Sequence, residues 1–600
     1  MRHSDRDVYV LATAGHVDHG KSTLVRALTG MEPDRHAEER RRGLTIDLGF
    51  AWTSMPSGEH LAFVDVPGHE RFVSTMLAGA GPVPAVLLVV AADGGWSAQT
   101  QEHVGILDAL GVAAGLVVVT RSDLADPHPV LAEVPDWLAG TSLAGVQVLA
   151  CSAVTGAGLD ELRHALAGLV ATLPKPDVEA PVRLWVDRAF HVRGAGTVVT
   201  GTLPAGRIRA GDELVLARTG QSVGVRGLQS MNEQMSTVDA VARVAVNLRG
   251  ISVADIGRGD ALLTPGKWAP SRTLDVLMTS AVQRLPAQLT MHIGAAALPA
   301  RTRRLGEQGM RLLLESPVGA TYGDRVLLRD PSTRKIIGAD VLDARPRPLE
   351  RRRGAALRRG MELASMTAGP EPDAELRRRG IETVETFASL GIGRPSTPPI
   401  GGWLMDPATR RRLGDKLVVL AADHQRRHPL DAGLAAGALT RSLGLPDPRL
   451  LPSLLRDPWR LVAGRITSAE QSRPDALPDA FGKGIQSIRD RLQHNPFDAP
   501  SPTELARLDL TPVVLAAAVR AGLLVAVGDG VFLAPGARED AVAQLQTLEQ
   551  PFTTGQAREA LQTSRRVALP VLRWLDAAGV TQRLPDDRRR LRERPVSPHV

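Results

Sequence analysis

The chain has 600 residues, 43% of them apolar, a single cysteine and a formal net charge of +7. That length is ample for several buried cores and implies about four or more domains of ~100–200 residues each. The lone Cys151 excludes a disulfide framework and a cysteine zinc site; no apolar run approaches the roughly 20 residues of a membrane span, and the first residues lack a signal-peptide core, so a cytoplasmic protein without membrane contact is expected, its mild positive charge leaning toward polyanionic partners.

Tyr9 to Ala14 reads as a short apolar strand. It is followed by "GHVDHGKS", which fits G-x-x-x-x-G-K-[ST], and then by "TLVRALTG", which reads as a helix. Strand, glycine-rich turn and helix form the context a phosphate loop requires. Its backbone N–H groups and the helix N-terminus favour anions. Gly15, His16, Val17, Asp18, His19, Gly20, Lys21, Ser22 and Thr23 are therefore predicted to hold nucleotide phosphates. Only six of the chain's 72 basic residues are Lys. Position 21 keeps one because the slot between β- and γ-phosphates suits a compact charge on a thin stem better than a planar fork. His16 and His19 shape the loop and carry no catalytic role.

Further pieces follow in order. "RRGLTIDLGF" carries Thr45, placed to close over the γ-phosphate and Mg²⁺. "FVDVPGHERF" ends a strand with Asp65, a candidate for holding Mg²⁺ through water, while Ser22 would bind the metal directly. The same stretch carries Gly68, whose N–H can reach the γ-phosphate. "LVVVTRSDLAD" brings Thr120, Arg121 and Asp123 to the end of another strand. A carboxylate at 123 can accept two hydrogen bonds from guanine N1 and N2, which adenine cannot supply. "VLACSAVTGAGLDEL" places Ser152 and Ala153 in a loop near guanine O6. Five such pieces at this spacing predict an α/β P-loop GTPase domain that uses GTP and Mg²⁺.

"GHVDHGKST", "RGLTID" and "DVPGHE" resemble the translational GTPases related to elongation factor Tu. The resemblance implies that His69 positions the water that attacks the γ-phosphate, in a reaction that depends on positioning and charge stabilisation. The family's guanine motif is N-K-x-D, and this chain has Thr120-Arg121-Ser122-Asp123. Asp123 keeps guanine specificity. Arg121 would still stack its stem on the base, and Thr120 is expected to lose an amide that braces the phosphate loop.

The Pro-containing linker "LPKPDVEAP" closes a domain of residues 1–176. Period-two alternation with Gly turns then predicts β-barrels over 177–264 and 265–346. Two barrels after such a GTPase domain resemble a body that binds aminoacyl-tRNA. "VDRAF" on a barrel strand resembles the selenocysteine-specific elongation factors (SelB). The resemblance implies that Asp187, Arg188 and Arg243 line an aminoacyl pocket whose cations favour a selenolate over neutral serine or cysteine. From the residues alone, an exposed Asp–Arg pair of little energetic weight is the plainer reading.

From residue 347 the chain turns helical and Arg-rich. Residues 347–480 are assigned to a pair of winged helices, with the "RRRGAALRRG" stretch read as a solvated face. Over 481–538 the elements are clear: the helix "GIQSIRDRLQHN", "SPTELARL" with Ser501 as cap, "TPVVLAAAVRAG", and a hairpin turning at Gly-Asp-Gly. The order recurs over 539–600. Residues 541–600 hold ten Arg against six acids. Arg565 and Arg566 open the third helix, and Arg588, Arg589 and Arg590 lie on the wing, where a winged helix meets nucleic acid. Pro570 interrupts that helix and removes one hydrogen bond.

Tandem winged helices again resemble SelB. This implies a last domain that binds an mRNA hairpin beside a UGA codon, and selenocysteyl-tRNA and the ribosome as further partners of a monomer. GTP is expected to order the segment around Thr45 and couple it to tRNA. A general elongation or initiation GTPase with a nucleic-acid-binding tail, or a GTP-switched regulator that binds duplex DNA, stays open at this point.

Overall fold

The computed structural model describes residues 8–33, 47–55, 58–67, 75–77, 83–280, 285–333, 335–349, 354–366, 369, 371–428, 431, 433–468 and 479–592. Thr45, Gly68 and His69 lie outside the described residues. The chain divides into two compact units, Met1–Glu375 with Thr383–Ser396, and Leu376–Glu382 with Thr397–Val600.

The first unit begins with a six-stranded sheet: β1 (Val8–Ala14), β2 (Gly49–Ser54), β3 (His60–Asp65), β4 (Ala85–Ala91), β5 (Gly115–Thr120) and β6 (Gln147–Ala150), in the order β2-β3-β1-β4-β5-β6. Only β2 runs antiparallel to its neighbour. Helices α1 (Lys21–Thr29), α2 (Ala98–Leu110), α3 (His128–Leu138) and α4 (Leu159–Thr172) alternate with these strands. A parallel strand covered on both faces must be apolar throughout, and all seven residues of β4 are buried. The phosphate loop leaves β1 between β3 and β4, where the strand order changes direction, the usual place for a ligand crevice in an open α/β sheet.

Two barrels follow. The first includes β7 (Arg188–Val192), β8 (Gly196–Leu203) and β9 (Ala242–Arg249), with β8 paired to both others. The second is a closed six-stranded barrel running from Ser271–Met278 to Ile336–Asp343. The end of α2 rests on the second barrel so closely that a Cβ at Gly338 would lie 2.6 Å from the Ala109 carbonyl oxygen.

Helix α5 (Ala355–Ser365) departs from expectation. It is docked on the second barrel, and within the stretch read as a solvated face Arg359 is buried while Arg358 is exposed; residues 351–353 lie outside the described residues. Arg359 is 6% exposed; its Nε lies 2.7 Å from Asp275 and its Nη2 2.7 Å from Asp343. Arg311 completes the cluster with Nε 2.7 Å from Asp275. Two buried carboxylates would be costly alone; Arg311 holds Asp275 bidentately and the Arg359 fork bridges Asp275 to Asp343. Gly360 allows the approach, since a Cβ there would sit 1.6 Å from the Leu305 carbonyl oxygen. The segment assigned to a winged-helix pair from residue 347 thus begins as an extension of the barrel.

In the second unit, a helix at Pro407–Arg427, a helix at Ala436–Leu443, a 3-10 turn at Pro448–Leu454 and a hairpin of Trp459–Val462 with Arg465–Ser468 make one winged helix. The next comprises α6 (Asp479–His494), α7 (Pro502–Arg507), α8 (Pro512–Arg520), β10 (Val525–Gly528) and β11 (Val531–Leu533). The Gly-Asp-Gly turn is present, with Asp529 and Gly530 both at positive φ, 49° and 73°, as a tight hairpin demands. Ser501 forms the expected cap, a full capping box with Glu504. The last comprises α9 (Ala537–Gln546), α10 (Thr554–Ala560), α11 (Arg565–Ala577), β12 (Thr581–Arg583) and β13 (Arg589–Leu591). Helix α11 continues through Pro570, which is buried. These two repeats share one continuous core from Ile485 to Leu575 rather than a separate core each. Among the described residues no helix is long and apolar enough to cross a membrane.

Candidate functional site

The loop between β1 and α1 depends on two glycines. Gly15 has φ 126°, and a Cβ there would lie 2.1 Å from the Val89 carbonyl oxygen. Gly20 takes the left-handed conformation just before α1, and no side chain caps that helix. An uncapped helix start beside a glycine loop is where a phosphate would be held. Lys21 is 3% exposed, and its Nζ donates to the carbonyls of Gly15 at 3.1 Å and His16 at 2.8 Å. The ammonium is thereby held across the mouth of the loop.

Asp65 is fully buried at the end of β3. Thr13 Oγ1 donates to its Oδ1 at 2.6 Å, and Ser22 Oγ to its Oδ2 at 2.6 Å. A hydroxyl and a carboxylate converging beside a phosphate loop suit Mg²⁺, which takes few protein oxygens and completes its shell with water and phosphate. The residues present therefore fit both a nucleoside triphosphate and the metal.

Two histidines set the loop's shape. His19 is 4% exposed with Nδ1 3.3 Å from the Val89 carbonyl, and burial pushes its pKa down to about 4. It is neutral at physiological pH, in keeping with a structural role. His103 on α2 accepts the Gly15 N–H at its Nδ1, 3.0 Å away. Sequence reasoning missed His103; nothing near "TQEHVG" marks a residue 88 positions away as its partner.

The guanine end corrects an expectation. Thr120 does not leave the loop unbraced: its Oγ1 donates to the His19 carbonyl at 2.7 Å. A hydroxyl on the last residue of β5 reaches the acceptor because strand and loop lie side by side. Arg121 takes φ 58°, donates from Nη2 to the Asp18 carbonyl, and pairs through Nη1 with Asp93 at 3.0 Å. Its guanidinium thus lies over the phosphate loop. Asp123 accepts from Ser152 Oγ at 2.6 Å, and the same Oγ accepts the N–H groups of Val154 at 3.3 Å and Thr155 at 3.1 Å. That arrangement rigidifies the loop containing Ala153 beside the Asp123 carboxylate.

Asp187, Arg188 and Arg243 come together where β2 meets the first barrel, around a cavity of about 180 Å³ that Arg188 and Arg243 line. Arg243 grips Asp187 with both Nη atoms, Nη2 at 2.8 Å from Oδ1, and Thr200 Oγ1 donates to the same carboxylate at 2.8 Å. The Arg243 guanidinium lies 3.8 Å over the Phe50 ring, a cation–π contact. Arg188 pairs with Asp47 at 2.6 Å. Asp47 and Phe50 were missed by sequence reasoning because they belong to a different domain. Their presence alters the electrostatic expectation: each pocket arginine already faces a carboxylate, so the pocket carries paired charge rather than two uncompensated cations.

The basic residues of the last winged helix divide into two groups. Arg565, Arg566, Arg588 and Arg590 are exposed. Arg589 is 5% exposed, with Nε 2.9 Å from Asp576. Strand alternation turns 589 inward when 588 and 590 face out, which corrects the assignment of Arg589 to an RNA-facing surface. Arg566 ends at the preceding repeat, its Nη2 donating to the Ala499 carbonyl at 2.6 Å.

Family profiles match in the same order along the chain. "Elongation factor Tu GTP binding domain" covers residues 6–172, "Elongation factor Tu domain 2" residues 196–263, "Selenocysteine-specific elongation factor, beta-barrel domain" residues 276–348, and "Elongation factor SelB, winged helix" residues 543–590. The chain is 33% identical to the selenocysteine-specific elongation factor of Desulfomicrobium baculatum, covering 98% of this chain and 100% of that protein. It is 31% identical to the selenocysteine-specific elongation factor of Escherichia coli K12, with 96% and 98% covered. A crystal structure of a bacterial selenocysteine-specific elongation factor superimposes with a TM-score of 0.78 at 25% identity, covering 98% of this chain and all of the other.

Proposed function

The chain belongs to the family of selenocysteine-specific elongation factors, which are translational GTPases, and from that premise we propose that it carries selenocysteyl-tRNA to ribosomes stopped at UGA codons marked by an mRNA hairpin. The loop from Gly15 to Thr23 holds the phosphates of GTP, and Asp123 with the loop of Ser152 and Ala153 selects guanine. Ser22 and Thr45, with Asp65 through water, would hold Mg²⁺, which when bound would supply positive charge to the nucleotide's phosphates. Gly68 offers its N–H to the γ-phosphate. His69 orients the attacking water once the ribosome is engaged. The factor works as a monomer in the cytoplasm, where ribosomes are.

The observation that carries this reading is the cavity lined by Arg188 and Arg243 at the junction of β2 and the first barrel. A selenol is ionised near neutral pH and a serine hydroxyl is not, so a half-buried pocket whose arginines can exchange a carboxylate partner for the selenolate separates the two aminoacyl groups. Tethering through the RNA-bound tail would then raise the factor's concentration at one codon. The test is a comparison of selenocysteyl-tRNA and seryl-tRNA binding with GTP present, alongside binding of a UGA-proximal RNA hairpin and of duplex DNA. Tighter binding of selenocysteyl-tRNA and of the hairpin is expected. Equal binding of both tRNAs, or preference for duplex DNA, would overturn the reading. His69→Ala should bind GTP normally and lose most ribosome-stimulated hydrolysis.

A further inference from the structure

The winged helices of the second unit differ in charge. Residues 407–468 hold eleven Lys and Arg against five acids, whereas residues 479–533 hold five against six. The balanced repeat shows that the chain's preference for Arg does not by itself produce net charge. The excess in the first repeat is also larger than the ten against six of residues 541–600. Yet it does not lie where a winged helix usually meets nucleic acid. The place of the third helix is taken by the 3-10 turn Pro448–Leu454, whose Leu450, Leu451 and Leu454 are buried. Gly414 lets that turn press on the helix Pro407–Arg427, since a Cβ there would lie 3.2 Å from the Leu454 carbonyl oxygen. The wing tip, Leu461 to Gly464, is exposed and uncharged. The cations gather instead on the first helix and beside it. Lys416 Nζ donates to the Ser442 carbonyl at 3.0 Å, which brings Arg441 next to that helix. Arg456 donates to the Arg411 carbonyl at 3.3 Å. Each of the five acids already faces an arginine, as Asp415 faces Arg456 and Asp423 faces Arg426 and Arg427. Arg411, Arg412 and Arg441 are exposed, and among the described residues none of them meets a carboxylate.

Such a face suits the phosphates of a nucleic-acid double helix. It offers no platform for stacking unpaired bases: Trp459 is 5% exposed, and Trp403 is half-buried with its Nε1 bonded to Asp447 at 3.1 Å. With neither a recognition helix nor a charged wing it has nothing to place in a groove. Double-stranded RNA is bound in that way, by shape and phosphate contacts, because its deep major groove cannot be read by side chains. A translational GTPase works among RNA helices. We propose that residues 407–468 form a second RNA-binding module, which grips the backbone of a double-helical RNA stem through Arg411, Arg412 and Arg441 without reading its sequence. The module goes beyond the hairpin site of the last repeat and does not depend on it. The last repeat selects one RNA; the first adds a sequence-independent hold, and two contacts made by one chain raise the overall affinity.

The test measures binding of the full chain to a blunt RNA duplex of about 16 base pairs, to the DNA duplex of the same sequence and to a UGA-proximal hairpin, over a series of salt concentrations. Arg411→Ala, Arg412→Ala and Arg441→Ala together should weaken binding of the RNA duplex on the order of tenfold and flatten the slope of log affinity against log salt by up to about three contacts. Lys at the same three positions keeps the charges and should bind the duplex as the unsubstituted chain does. Arg565→Ala with Arg588→Ala should do the reverse, weakening the hairpin far more than the duplex. Competition for the duplex by small ribosomal subunits, by tRNA or by the hairpin identifies the natural stem. An unchanged duplex affinity in the Ala variant, an equal loss in the Lys variant, tighter binding of the DNA duplex, or competition by none of the three RNAs would overturn the proposal. Unchanged hairpin binding after Arg565→Ala with Arg588→Ala would instead overturn the hairpin site of the last repeat.

Discussion

Thr120 Oγ1 donates a 2.7 Å hydrogen bond to the His19 carbonyl, so the last residue of β5 holds the phosphate loop from behind. The same hydroxyl lies 3.3 Å from the Val90 carbonyl, and the residue is 2% exposed. A buried carbonyl deprived of its donor costs ~1–3 kcal/mol. Thr120→Val keeps the shape and deletes the donor, so GDP and GTP should both bind about tenfold more weakly, and Thr120→Asn should restore much of the loss. Titration with a fluorescent guanine nucleotide measures this. Full affinity in Thr120→Val would show that the brace is dispensable.

Lys21→Arg should weaken nucleotide binding although the charge is kept. The ammonium sits between two carbonyls 2.8 and 3.1 Å away on a buried stem, and a planar fork cannot take that position without moving the loop. The same titration decides it; wild-type affinity in the variant would refute the geometric reason for keeping Lys here.

Arg243 and Asp187 should give effects of opposite sign. Arg243→Ala removes a cation and strands a buried carboxylate, so selenocysteyl-tRNA should lose its advantage over seryl-tRNA. Asp187→Asn leaves Arg243 uncompensated, and the preference for the selenolate should grow. Removing one partner of a buried pair also lowers stability by ~3–5 kcal/mol, so the readout is the ratio of the two affinities with GTP present, not either alone. Ratios that move together in both variants would contradict the electrostatic account.

In the tail, arginines open to RNA should separate experimentally from those engaged within the protein, buried Arg589 and exposed Arg566. A fragment of residues 481–600 should fold alone, since its two repeats share one core. In that fragment, Arg565→Ala with Arg588→Ala should weaken hairpin binding and reduce the slope of log affinity against log salt by up to about two contacts. Arg589→Ala should lower the melting temperature instead, because Asp576 loses its partner. Arg566→Ala should loosen the junction between repeats through the Ala499 carbonyl. Salt slope by filter binding and melting by circular dichroism distinguish the two groups. A change in slope for Arg589→Ala, with melting unchanged, would return that residue to the RNA face.

Acid should destabilise the GTPase domain through His19. Its pKa is 6.5 in the unfolded reference and about 4 when buried, so between these values the unfolded chain binds more protons and stability rises with pH. The contribution is fully present above about pH 6.5 and is lost as pH falls toward 4. Burial likewise pushes His292 of the second barrel down to about 4. His19→Gln should reduce the drop in melting temperature between pH 7 and pH 5. An identical drop would mean that other groups carry the acid sensitivity.

The fold class and much of the nucleotide site were legible from residue order alone, because their determinants are local. A glycine loop needs its glycines next to each other, a parallel strand needs an unbroken apolar run, and a capped helix shows its Ser and Glu three positions apart. Gly15, Lys21, Ser501 and the Gly-Asp-Gly turn could all be read this way. Tertiary structure decided whatever depends on which distant groups meet. His103 reaches Gly15 across 88 positions, and Thr120 reaches His19 across 101. Among the Arg residues the sequence offers nearly identical side chains. Arg359 is buried between two carboxylates, Arg589 turns inward, and Arg565 faces solvent. The same holds for charge in the pocket: Arg188 and Arg243 can be named from a short motif, but Asp47 and Phe50 reach them from another domain. Coulombic and cation–π interactions depend on distance in space, and only the packing of β2 against the first barrel supplies that distance.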